Sequence, residues 1–321
     1  MKIAIIGAGL SGLTLANRLS VGHDVVVFEK ARGPGGRMST RRAAPYAFDH
    51  GAQYFTAKSE RFQSFLGDLK NRGLVATWPK DIVLTNGARV SDKPKYVAKP
   101  GMSAICKHLA QPVLVRTQAQ IETLTQLTDG WRLTAKDGAQ HGPFDWVVST
   151  APAEQSATLL PEKFSGQKAL RDVDMHGCFA LMLGFEKPLD VKWSALKSGA
   201  APIGWIAVNS DKPGRPAPYA LLIQSDNAWA EAHLEDDPTQ VTAVLLAAGS
   251  ELAGVELSAA THRVLHRWRY ASTPKPAGVP FLLDHNLQLA ACGDWCPGSK
   301  VEAAFLSASA LADEILSLPK A

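Results

Sequence analysis

The chain has 321 residues, 46% apolar and 20% charged, which favours two domains or one large α/β unit and excludes a disordered or low-complexity protein. Its 34 lysines and arginines against 30 acids leave a net charge of +4, too small an excess to point to a nucleic acid or a membrane surface. Cys106, Cys178, Cys292 and Cys296 include one Cys-x3-Cys pair but not the second pair that a closed zinc site needs, so neither a structural metal nor a disulfide framework is expected. No apolar run approaches the roughly 18 residues of a membrane-spanning helix, and the first residues lack an export-signal layout. A cytoplasmic protein with reduced thiols is the expectation.

Residues 2–6 are a short apolar run of the kind that forms a buried parallel strand. Gly7-Ala8-Gly9-Leu10-Ser11-Gly12 follows at once, and Leu10, Leu13, Ala16 and Leu19 then mark a helical face that ends by Gly22. A second apolar run, 24–28, leads into Glu29. Strand, glycine turn, helix and strand in this order form a dinucleotide-binding unit. Gly7 permits the tight turn, Gly9 lets the backbone approach a pyrophosphate, and Gly12 lets the helix pack closely on the strand. The start of the helix, at Leu10 and Ser11, offers free N–H groups to phosphate. Glu29, seventeen residues beyond the last glycine, is placed to bond ribose hydroxyls and to repel a 2′-phosphate. A second glycine cluster, Gly33-Pro34-Gly35-Gly36-Arg37-Met38, suits close approach to a large cofactor, with the Arg37 fork offered to its pyrophosphate.

Further along, short β-rich runs at 113–115, 119–124, 131–135 and 144–150 are separated by turn signals at 128–130 and 136–138. Strands are expected at 178–185, 203–208, 219–224 and 262–270 with a helix near 239–252, which reads as a second, sheet-based domain inserted into the first. The proline-rich stretches 212–218 and 274–280 read as loops. A strand at 287–292, Gly293-Asp294 and a mostly apolar helix over 301–316 return the chain to the first domain.

The glycine motif, Glu29, Gly35-Gly36-Arg37-Met38 and Gly293-Asp294 with its helix resemble the FAD-containing amine oxidase superfamily, which includes phytoene desaturases and protoporphyrinogen oxidases. Within it, Asp49-His50-Gly51-Ala52-Gln53-Tyr54-Phe55-Thr56, Lys99-Pro100-Gly101-Met102-Ser103 and Cys292-Gly293-Asp294-Trp295-Cys296 resemble the bacterial renalases. The resemblance implies an α/β fold with a Rossmann-type, three-layer FAD-binding domain over 1–75, 100–155 and 286–321 and an inserted sheet-plus-helix substrate domain over 76–99 and 156–285. It implies an oxidase that takes hydride from 2- or 6-dihydro isomers of NAD(P), regenerates NAD(P)+ and reduces O2 to hydrogen peroxide. FAD is expected to be held without a covalent bond, although His50 and Cys296 stand in or near the cofactor motifs. No nucleic acid, membrane or obligate protein partner is expected.

By the same resemblance, Lys30, Gly36, Met38, Gly51, Ala52, Gln53, Tyr54, Phe55, Gly293 and Asp294 are expected around the cofactor, with Asp294 at the ribityl chain or a phosphate-bridging water. Ile121 is expected to meet adenine through its backbone, and Val301 N–H to face the flavin N1 and C2 carbonyl, where a helix start favours negative charge. Gln53, Tyr54, Phe55, Tyr96, Lys99, Trp268, Ser299 and Lys300 are the expected substrate residues, while Arg41 and Arg42 read as a solvated face. Amine oxidation in the superfamily commonly uses an aromatic pair beside the flavin. Here one of those positions is Lys300 and the other falls in Arg269-Tyr270-Ala271-Ser272 without a clear aromatic match, which disfavours an amine substrate. Hydride loss from a dihydropyridine restores aromaticity and needs no base, so no acid or base is singled out as catalytic. An amine oxidase and a flavin-bound redox sensor without turnover are the alternatives.

Overall fold

The computed structural model describes residues 1–78, 82–88, 90 and 93–318. Residues 79–81, 89, 91 and 92 of the expected segment 76–99, and 319–321 of the expected segment 286–321, lie outside them. Strand Lys2–Ile6 sits inside a six-stranded sheet ordered Leu282–Asp284, Leu289–Ala291, Trp146–Ser149, Lys2–Ile6, Asp24–Glu29, Leu114–Thr117. Every neighbouring pair is parallel except at the Leu282–Asp284 edge.

Alternate side chains of these strands enter two different cores. Ile3, Ile5, Val25, Val27 and Val148 pack in the core shared with helices Leu10–Leu19, Ala104–Ala110 and Val301–Ser317. Ala4, Ile6, Phe28 and Val147 pack instead with Trp131, Leu133 and Phe144 of a three-stranded antiparallel sheet, Ile121–Leu127, Gly130–Ala135 and Gln140–Phe144. The central sheet is therefore covered on both faces, which is why its strands read as unbroken apolar runs. Helices, sheet and second sheet make the three layers of a Rossmann-type domain.

The inserted sheet has the order His262–Lys275, Asp174–Phe185, Tyr219–Ser225, Ile203–Val208, Ala195–Lys197, Ile82–Leu84. Phe179, Leu181, Leu183 and Phe185 face one way, into a core with helices Asn227–Ala232 and Pro238–Ala253, while Ala180 and Met182 face the other. This second face is turned toward the dinucleotide-binding domain, because Ala180 and Met182 pack with Phe48 and Tyr46 from the segment that carries the Asp49-His50-Gly51 run.

Two expectations change. Strand His262–Lys275 runs through Pro274, where a loop was expected; it is an edge strand of its sheet, and an edge tolerates the missing proline N–H. The run 144–150 is divided between two sheets, Gln140–Phe144 in the hairpin layer and Trp146–Ser149 in the central sheet. Helix Glu60–Asn71 is additional. Ser59 caps it by accepting from Phe62 N–H, and Phe62, Leu66 and Leu69 form its buried stripe.

Candidate active site

A cavity of about 1700 Å³ runs from the glycine turn to the second face of the inserted sheet. Ligand pockets commonly measure roughly 300–1,000 Å³, so this one has room for a dinucleotide and a further molecule. Gly7, Gly9, Leu10, Ser11, Glu29, Lys30, Gly36, Arg37, Met38, Gly51, Ala52, Gln53, Tyr54, Phe55, Ile121, Gly293, Asp294 and Val301 all border it, as do Trp268, Ser299 and Lys300. Gly12 does not. A Cβ there would stand 2.0 Å from the Gly7 carbonyl oxygen, so its part is the close packing of helix on turn.

Tyr96 and Lys99 are absent from the cavity wall. Tyr96 exchanges backbone hydrogen bonds with Phe55 and has the Lys70 ammonium 4.1 Å from its ring centroid, while the Lys99 stem lies beside Gly214. Strand Tyr96–Ala98 pairs with Val75–Thr77 and the following Lys99 N–H donates to the Leu74 carbonyl, which keeps this stretch behind the wall.

The walls fit a flavin dinucleotide. Nothing lies within 4 Å of where a Cβ on Gly9 would stand, so the backbone there is open to a phosphate. Glu29 is buried, and its carboxylate accepts from Ala8 N–H and Ala31 N–H at 2.8 Å each. Each oxygen retains a second lone pair for a ribose hydroxyl. Arg37 and Asp294, expected to act separately, form a two-point ion pair at 2.5 and 3.0 Å. That pair consumes two of the five guanidinium N–H donors and leaves the others for phosphate. Helix Val301–Ser317 begins at the wall, and its first N–H groups have no partner within the helix. Ser11 Oγ donates to the Ala304 carbonyl, joining this helix to the glycine-turn helix.

Behind Gln53 lies a charge cluster that spans the sequence. Asp49, Lys212 and Arg215 have fully buried side chains. Arg215 donates to Asp49 Oδ2 at 2.5 and 3.0 Å, and Lys212 Nζ stands 3.5 Å from the same oxygen and 3.1 Å from Gln53 Oε1. Thr40 Oγ1 and Met102 N–H occupy Asp49 Oδ1. Although burial alone raises a carboxyl pKa, the two cations and these donors hold Asp49 below its usual range. Burial pushes Lys212 down to about 8. Gln53 Nε2 donates to the Asp49 and Gly51 carbonyls, so both ends of this amide are held by the protein.

His50 is buried against the Trp268 ring, 5.0 Å between centroids, and edge-on to His266 at 4.8 Å. Burial first, then the nearby His266 and Arg41 charges, hold its pKa down to about 4. In the unfolded chain a histidine takes its proton near 6.5, so unfolding gains protons between pH 6.5 and about 4 and the fold loses stability as pH falls through that window. The loss from this one group is on the order of 3 kcal/mol. We expect urea unfolding midpoints at pH 7.5 and 4.5 to differ less for His50→Phe than for the wild type. Equal differences in the two proteins contradict this assignment.

Residues that sequence reasoning missed also border the cavity. Trp205, Gln224, His266 and Lys197 come from the inserted sheet, from strands that no local motif marks, and Tyr270, in the run expected to offer no clear aromatic match, borders the cavity as well. Register is the only signal that unites them.

Comparison with known proteins follows the same division. The sequence pattern of NAD(P)-binding Rossmann-like domains matches residues 5–69, and that of flavin containing amine oxidoreductases matches residues 89–316. A 4,4'-diapophytoene desaturase of Staphylococcus aureus strain Newman is 50% identical over 52 residues, which are 16% of this chain and only 10% of that protein. A solved structure from Exiguobacterium sp. 255-15, provisionally assigned as a protoporphyrinogen oxidase, superposes with a TM-score of 0.76 at 11% identity, over 98% of each chain. A putrescine oxidase triple mutant redesigned in cofactor binding gives 0.72 at 12% identity, also over 98% of each chain. At such identities the likeness is one of fold. Among the described residues no helix is long and apolar enough to cross a membrane.

Proposed function

Because the chain belongs to the flavin containing amine oxidoreductase family, we propose that it is a flavoprotein oxidase acting on 2- and 6-dihydro isomers of NAD(P), with O2 as acceptor and NAD(P)+ and hydrogen peroxide as products. The flavin is FAD, held without a covalent bond, and the enzyme works in the cytoplasm with no obligate protein partner. When bound, FAD supplies the hydride acceptor and the route of electrons to oxygen.

The observation that carries this reading is the charge of the wall. Its less exposed carboxylates already accept hydrogen bonds from the protein. Glu29 and Asp294 are bonded as described, and Glu302 accepts from Lys58 N–H, Ser59 N–H and Ser59 Oγ. Asp226 caps a helix at Trp229 N–H, while Glu122 and Glu154 are exposed to solvent. Lys58, Lys197 and Lys300 also border the cavity, and their ammonium groups have no ion-pair partner among the described residues. A phosphate-bearing substrate meets these cations favourably, whereas a protonated amine meets repulsion from them.

The protein's own residues then position rather than react. Arg37 and the glycine turn hold phosphate, the start of helix Val301–Ser317 faces negative charge, and Trp205, Trp268 and Tyr54 wall a flat ring. That aromatic wall also suits a small amine, the second reading. Steady-state peroxide release separates the two: we expect turnover with borohydride-reduced NAD+ and none with putrescine or benzylamine. The reverse pattern overturns the proposal in favour of the amine, and peroxide from neither favours a redox sensor.

A further inference from the structure

Resting on that reading, we propose that Gln224 recognises the substrate, its side-chain oxygen accepting an N–H from a carboxamide on the ring to be oxidised. The placement comes from strand register. Lys197 pairs with Trp205, Trp205 with Gln224, Gln224 with Ala180, and Ala180 with His266. Directly opposed residues share a face, so these five side chains form one row across the inserted sheet. All but Ala180 border the cavity. The row offers an ammonium, an indole plane, an amide and an imidazole, with the buried Ala180 between the last two.

The orientation of the amide follows from its partners. Gln224 Nε2 lies 2.7 Å from the Gly51 carbonyl oxygen and 3.5 Å from that of His50. Carbonyl oxygens only accept, so the nitrogen faces them and Oε1 is turned to the open side. No described group donates to Oε1, and it is not among the buried polar atoms that lack a partner. The His50 carbonyl is itself fixed by Trp268 Nε1 at 2.8 Å, so the acceptor stands on a braced segment. By contrast Gln53, the amide that sequence reasoning favoured, has both ends consumed. A substrate carboxamide beside the indole of Trp205 finds in Gln224 an acceptor that a carboxylate in the same place cannot use.

The test compares borohydride-reduced NAD+ with borohydride-reduced nicotinic acid adenine dinucleotide, which carries a carboxylate in place of the carboxamide. The wild type is expected to prefer the carboxamide by at least about tenfold in kcat/KM. Gln224→Met, close in volume, is expected to reduce that preference to near unity, and Gln224→Arg to reverse it. A merely structural role slows both substrates equally and leaves the ratio unchanged, which overturns the assignment while leaving the proposed function standing. Equal use of both compounds by the wild type overturns it without any variant. Oxidation of neither overturns the proposed function, and this assignment with it.

Discussion

The Gly9→Val protein is expected to fold and to purify without flavin. Gly9 precedes helix Leu10–Leu19 with φ at −80°, a backbone that any residue adopts, and a Cβ built there meets nothing within 4 Å. The added Cβ therefore strains nothing in the protein, and the branched side chain beyond it enters the space that a pyrophosphate needs. Loss of flavin affinity on the order of a hundredfold or more is expected, since the backbone donors lose their approach to phosphate. Gly12→Val gives the contrast. Its Cβ would stand 2.0 Å from the Gly7 carbonyl and 2.8 Å from Thr150 Oγ1, so the helix itself must move and the unfolding midpoint must fall. Visible absorbance after purification and the unfolding midpoint together separate the two. A yellow Gly9→Val protein with wild-type flavin content contradicts the placement of the cofactor.

Asp49→Ala is expected to cost about 3–5 kcal/mol of stability, because it leaves two cations buried without their counter-ion. Lys212→Met should cost less. It preserves the Arg215–Asp49 pair at 2.5 Å and removes an ammonium that burial already disfavours, pushing its pKa down to about 8. Arg215→Met falls between them, since it strands the Ala98 and Pro213 carbonyls as well as half of the charge balance. Denaturant midpoints should therefore rank Asp49→Ala lowest, then Arg215→Met, then Lys212→Met. A Lys212→Met protein less stable than Asp49→Ala contradicts this account of the cluster.

The legible and illegible parts of the molecule differ in one physical respect. Gly7, Gly9, Gly12 and Glu29 act through a turn and a helix start that are local in sequence, so their spacing alone predicts the unit that the structure contains. The contact of Arg37 with Asp294 spans 257 residues, and that of Arg215 with Asp49 spans 166. No local pattern encodes either. Lys197, Trp205, Gln224 and His266 likewise meet only through register across successive strands, and each alone reads as an ordinary strand residue. Tyr96 and Lys99 mislead for the converse reason. They adjoin motif residues in sequence, yet the pairing of Tyr96–Ala98 with Val75–Thr77 places them behind the wall. Helix Glu60–Asn71 was within reach, since its Ser59 cap and the spacing of Phe62, Leu66 and Leu69 are local signals.

Anaerobic stopped-flow mixing of the holoprotein with borohydride-reduced NAD+, which contains the 2-, 4- and 6-dihydro isomers, tests the central claim most directly. The account predicts rapid loss of visible flavin absorbance with consumption of the 2- or 6-dihydro isomer, while the 4-dihydro form persists. Flavin that stays oxidised in the presence of all three isomers contradicts it.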